Sequence, residues 1–151
     1  MSKSESELRR AAFHEAGHAV ACYLYDLPLK SIEIYKKRKD RPSPHVGGKT
    51  EFSRGRGSVH DQLFMLLAGP ATESILCKGY YWGALSKNLH DVELAMSLSP
   101  PSMELRTFYD YVQEAMRDHE IWRMVEALAK ELLTCGKLSS KKVKEVCDST
   151  D

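Results

Sequence analysis

The chain has 151 residues, 28% of them charged and 42% in the AVILMFWYC set, with a formal net charge of +1. That length suits a single domain with its own core, and the near-neutral balance gives no electrostatic footprint for nucleic acid or an acidic membrane surface. The longest apolar run, residues 63–71, contains Gly69 and Pro70 and is too short to span a bilayer; the opening MSKSESELRR holds no apolar secretion segment. A cytoplasmic protein is therefore expected. Its scattered Cys22, Cys77, Cys135 and Cys147 form no CxxC pair and read as reduced thiols.

In chain order, Ser4 and Glu7 have capping-box spacing. They are followed by Leu8, Ala12, Ala16, Ala19, Val20, Tyr23 and Leu24 at helical intervals, which predicts a helix over residues 5–25 that ends before Pro28. Ser31 to Tyr35 alternates, with Ile32 and Ile34 on one face, as a half-buried strand does. A basic, Pro-containing run over 36–45 reads as a solvated hairpin loop, and a second extended run over 46–52 completes a small two-stranded element. Residues 58–77 form a second helix with Leu63, Leu66, Leu67 and Ile75 inward and a kink expected at Pro70. An aromatic loop over 78–87 precedes a third helix over 88–98, stopped by Pro100-Pro101. Residues 102–133 are helical again, as one bent helix or two. Gly136 ends them and Ser139 opens a short last helix. The expectation is one domain over 1–151, mainly α with a small β element.

The strongest chemical signal is His14-Glu15-Ala16-Gly17-His18, an HExxH motif on the first helix. Residues four apart share a helical face, so both imidazoles can point at one ion. Glu15 lies on the adjoining side, where its carboxylate can serve as general base without binding the metal. Zinc in such a site lowers the pKa of a water to about 7. Glu15 would take that water's proton and later give it to the departing amine. The apolar surroundings favour this over two spare histidines, because unpaired buried imidazoles are costly.

A catalytic zinc needs a third protein ligand and one open position. The metzincin extension is excluded, because it requires Gly and His where Ala21 and Leu24 stand. Asp61, Glu73, His90 and Asp91 remain as candidates on expected helices. Cys22 shares the face of His18, but a fourth protein ligand would close the site, so it reads as a buried thiol. Gly47-Gly48-Lys49-Thr50 lacks the leading Gly of a phosphate-binding loop, since position 43 is Ser43.

The run Ala12-Phe13-His14-Glu15-Ala16-Gly17-His18-Ala19-Val20 resembles the peptidase domain of the FtsH family of ATP-dependent zinc proteases. Residues 66–73, His90-Asp91-Val92-Glu93-Leu94-Ala95 and residues 125–133 are similar to further family segments in the same order, so the resemblance covers about residues 10–147. It implies a compact helical zinc-peptidase fold with Asp91 as third ligand and Glu73 as runner-up. His90 stands where the family usually has Asn, and could orient a ligand from behind, contact substrate or have no role, the first being favoured. It also implies that an edge strand, taken here as residues 32–35, pairs with an extended substrate.

Family members usually carry a membrane anchor and an ATPase module, and neither is found in these residues. The function expected is therefore a zinc-dependent metalloendopeptidase acting on unfolded or flexible proteins without its own ATPase. The alternative is a catalytically reduced zinc-binding adaptor of the same fold. Implied partners are a protein or peptide substrate and either further copies of the chain or an ATPase acting in trans.

Overall fold

The structure, a computed structural model, describes residues 2–35, 47–53, 55–78, 89–100 and 103–150. The basic loop over 36–45 and most of the aromatic loop over 78–87 lie outside those residues. The described elements are α1 (Lys3–Tyr25), β1 (Leu29–Tyr35), β2 (Gly47–Phe52), α2 (Val59–Leu76), α3 (Leu89–Leu98), α4 (Leu105–Met116), α5 (His119–Cys135), β3 (Lys137–Ser139) and α6 (Ser140–Asp148). The domain is mainly helical with a small antiparallel sheet, as expected.

Caps set most of the helix boundaries. Ser2, not Ser4, opens α1: its Oγ accepts from the Glu5 amide at 3.1 Å, so α1 starts at Lys3. Ser58, Asp118 and Ser139 cap α2, α5 and α6 in the same way. The expected segment over 102–133 resolves into two helices, α4 and α5, with Arg117 and Asp118 between them. Helix α2 runs on through Pro70 as one element. Every residue of α2 from Leu63 to Ser74 is buried, so it is the central helix, packed against α1, α3 and α4. Ile75 is only half-buried, and Leu24, expected inward on α1, is an exposed apolar residue.

The close packing of α1 on α2 depends on Gly17. A Cβ there would lie 2.4 Å from Thr72 Oγ1 and 2.6 Å from the Ala68 carbonyl oxygen. A glycine inside a helix costs roughly 1 kcal/mol against alanine. Here that loss lets two backbones approach closely enough to bring the face of α1 that carries His14 and His18 against α2.

The sheet has three strands, not two, in the order β2-β1-β3. Ile32 faces Thr50 on one side and Leu138 on the other, and Ile32 and Leu138 are buried. The third strand is only Lys-Leu-Ser, too short to show a period, and it follows directly on the turn at Gly136, whose φ is 80°. Strand β1 is therefore central, and the expectation that it offers a free edge is corrected: among the described residues the free edges belong to β2 and β3. The four cysteines are unpaired, with Cys22 and Cys147 buried. No described helix is long and apolar enough to cross a membrane.

Candidate metal centre

Helix α1 presents His14 and His18 to the interior one turn apart, with 8% and 4% of their surface exposed. Helix α3 brings Asp91 to the same point from 77 residues further along the chain. The two Nε2 atoms are 3.1 Å apart, and Asp91 Oδ2 lies 3.1 Å from that of His14 and 3.3 Å from that of His18. Three donor atoms from three side chains thus form one small triangle. It is the one group of three or more such side chains among the described residues able to hold a metal ion.

The opposite ring nitrogens are used differently. His18 Nδ1 donates to the Met65 carbonyl at 2.7 Å, which fixes the tautomer and leaves Nε2 with its lone pair toward the triangle. His14 Nδ1 lies 3.5 Å from Glu73 Oε1 and makes no shorter contact, so this is an ion-pair approach and not a formed hydrogen bond. Glu73 Oε2 in turn meets Arg10 at 3.4 Å. Glu73, the runner-up ligand, therefore stands behind His14 on the side away from the triangle, where it orients the ring. Asp61 is elsewhere, paired with His60 at 2.9 Å. The backbone of His90 belongs to α3, while its side chain lies outside what is described. Cys22 is not in the donor group, and burial pushes its thiol up to about 12.

Two glycines leave space where the chemistry needs it. A Cβ on Gly69 would fall 2.4 Å from His18 Nε2 and 2.8 Å from His14 Nε2, within the space that the two nitrogens face. A Cβ on Gly48 would fall 2.6 Å from Glu15 Cγ and 2.9 Å from its Oε2. Glu15 is buried, and its Oε1 accepts from Thr50 Oγ1 at 3.0 Å. Strand β2 thereby holds the glutamate in place through Thr50 and Gly48, while Gly69 of α2 leaves room at the imidazoles; none of the three stands out as a site residue in the sequence. A glycine within an otherwise apolar helix was the available sign for Gly69; Thr50 gave none.

The carboxylates concentrate negative charge around the buried imidazoles. Burial opposes charge on His14, yet its hydrogen bond with Asp91, the approach of the Glu73 carboxylate and the negative charges of Glu15 and Asp91 carry it up to about 10. His18 is raised as well, against its own burial, mainly by the Asp91 charge and hydrogen bond. Burial would raise Asp91, but the two imidazoles hold its carboxyl far below the usual carboxylate range. With neutral imidazoles, the three carboxylates of Glu15, Glu73 and Asp91 outweigh the one guanidinium, that of Arg10. A divalent cation would match that excess of negative charge.

Two buried imidazoles and a carboxylate on a helical scaffold define the class of site: a two-histidine, one-carboxylate group able to hold a metal, with a second carboxylate beside it. No protein-family model and no curated protein matches the chain.

Proposed function

We propose that the chain is a zinc metallopeptidase domain of FtsH type, hydrolysing peptide bonds in unfolded or flexible protein segments without an ATPase of its own. The observation that carries this reading is the convergence of His14, His18 and Asp91 with Glu15 alongside. Zinc bonds of about 2.0–2.2 Å in a tetrahedral site separate the ligand atoms by about 3.3–3.5 Å. The donor separations of 3.1 to 3.3 Å come close to that spacing without rearrangement. The mixed nitrogen and oxygen donor set suits zinc, and three protein ligands are the number that leaves a catalytic site open.

A zinc ion bound there would supply Lewis acidity, polarising a peptide carbonyl and making a water more acidic. The chain's own residues do the rest. Thr50 occupies Glu15 Oε1, which leaves Oε2 to accept a proton from the attacking water. As the water oxygen bonds to the carbonyl carbon and the C–N bond breaks, Glu15 passes that proton to the departing amine. Met65 and Glu73 keep the two imidazoles aimed, so little reorganisation is needed when charge develops.

The free edge of β2 supports an extended substrate. Its residue Thr50 touches Glu15, so a segment hydrogen-bonded along that edge would run beside the general base. Backbone pairing of this kind asks for an unfolded stretch and little sequence preference.

The test is casein digestion by the zinc-loaded chain beside Glu15→Gln. Wild type is expected to cleave, and the variant to keep its zinc while losing at least about 100-fold in rate, the lower range for a general base. Equal cleavage by both would remove the assignment. Bound zinc with no turnover in either would favour the adaptor reading.

A further inference from the structure

An apolar cavity of about 240 Å³ is walled by Leu27, Phe52, Met65, Leu66, Leu94 and Leu98. Clefts that take a whole drug-sized ligand run to about 300–1,000 Å³, so this one has the scale of a single large side chain. Its walls come from the elements that build the site. Leu94 and Leu98 follow Asp91 along the same stripe of α3, at one turn and two turns. Phe52 follows Thr50 on the same face of β2. Met65 supplies the carbonyl that His18 donates to, and Leu66 lies one turn before Gly69 on α2.

Among the described residues, the one charged side chain lining this cavity is that of Arg56. It is exposed, sits between Gly55 at φ 76° and Gly57 at φ 86°, and pairs with no carboxylate among the described residues. Of the other polar side chains lining it, Gln62 donates to the Gly57 carbonyl at 2.9 Å and Ser97 to that of Leu94 at 2.7 Å, while Ser53 adds a small hydroxyl. An apolar hollow with one free guanidinium complements an apolar side chain that has a carboxylate next to it.

We infer that this cavity is a specificity subsite: it receives a Leu- or Phe-sized side chain of the substrate residue at the scissile bond, and Arg56 pairs with a carboxylate adjoining that residue. The inference rests on the peptidase reading for its meaning, but binding can be measured without turnover. The carboxylate can be the end of the peptide chain or the side chain of a following acid, and the two are separable.

The experiment titrates fluorescein-labelled alanine-rich hexapeptides into zinc-loaded Glu15→Gln protein and follows anisotropy. One arm carries a C-terminal Leu as free acid or amide; another carries an internal Leu-Asp or Leu-Asn with an amidated end. A third replaces each Leu by Ala. Leu is expected to bind at least tenfold tighter than Ala, and an acid at least fivefold tighter than its neutral counterpart. Preference confined to the free-acid arm assigns the carboxylate to the chain end, and preference in the Leu-Asp arm assigns it to a side chain. Arg56→Gln, at an exposed position that leaves the fold intact, should abolish the acid preference and keep the Leu preference. Equal binding of the Leu and Ala series, or an acid preference that survives Arg56→Gln, overturns the subsite. Selective binding without any casein cleavage by wild type would leave the subsite standing and remove the peptidase.

Discussion

Gly69 holds open the space that both Nε2 atoms face. Gly69→Ala places a methyl group 2.4 Å from one of them while removing no ligand. Zinc affinity should fall by at least about 100-fold, the upper range for losing a supporting partner. Competition against a chelator of known affinity measures it, and an unchanged affinity would show that the ion sits elsewhere. Glu73→Gln is milder: it keeps the shape and weakens the hold on His14, so affinity should drop about 10–100-fold while Asp91→Asn loses more.

Protons compete for the same atoms. Its carboxylate neighbours raise His14 from 6.5 to about 10, against its burial. A raised pKa stabilises the fold fully below pH 6.5, and the contribution is lost as pH rises through 10. Between those values zinc must displace the proton, so apparent affinity should rise about tenfold per pH unit for each proton released. Calorimetry in buffers of different ionisation enthalpy counts the protons. Zinc binding at pH 8 that releases none would contradict the arrangement.

At the scale of elements, the joint between α1 and α2 is set by Gly17. Gly17→Ala gains helix propensity of about 1 kcal/mol but drives a methyl group into the Ala68 carbonyl, and backbone does not yield as a flexible side chain does. A net loss of about 1–2 kcal/mol is expected, read from denaturant midpoints. A stabilised variant would mean that the helices can separate freely.

Elements also show what was legible in the sequence. Helices α1 and α2 were readable from their apolar spacing, although the cap of α1 is Ser2 and not Ser4, Leu24 is exposed and Ile75 only half-buried. The histidines and Glu15 were readable because one helix fixes their relative placement, whereas Asp91 rested on a resemblance: no local pattern joins α1 to a helix 77 residues later. Glu73 remained ambiguous for the same reason, since only the fold decides which nitrogen of His14 it meets. Strand β3 was missed because three residues with one buried side chain carry no periodicity. The central place of β1 was missed with it.

Over the whole molecule, the donor set ties α1 to α3 across most of the first two thirds of the chain. An ion that binds only the folded form adds about 2.7 kcal/mol when present at 100 times its Kd. For a chain of this size that raises the melting temperature by about 5–10 °C. Differential scanning calorimetry with zinc and with a chelator checks it, and Asp91→Asn should show little of the rise.

Strand β3 has a consequence for handling the protein. It shields the second rim of β1, and Leu138 plugs the sheet next to Ile32. A chain ending at Gly136 would keep His14, Glu15, His18 and Asp91 yet uncover a row of unsatisfied amides and carbonyls. Such a shortened chain should self-associate through that rim, so a soluble preparation needs its last helix even though no chemistry resides there.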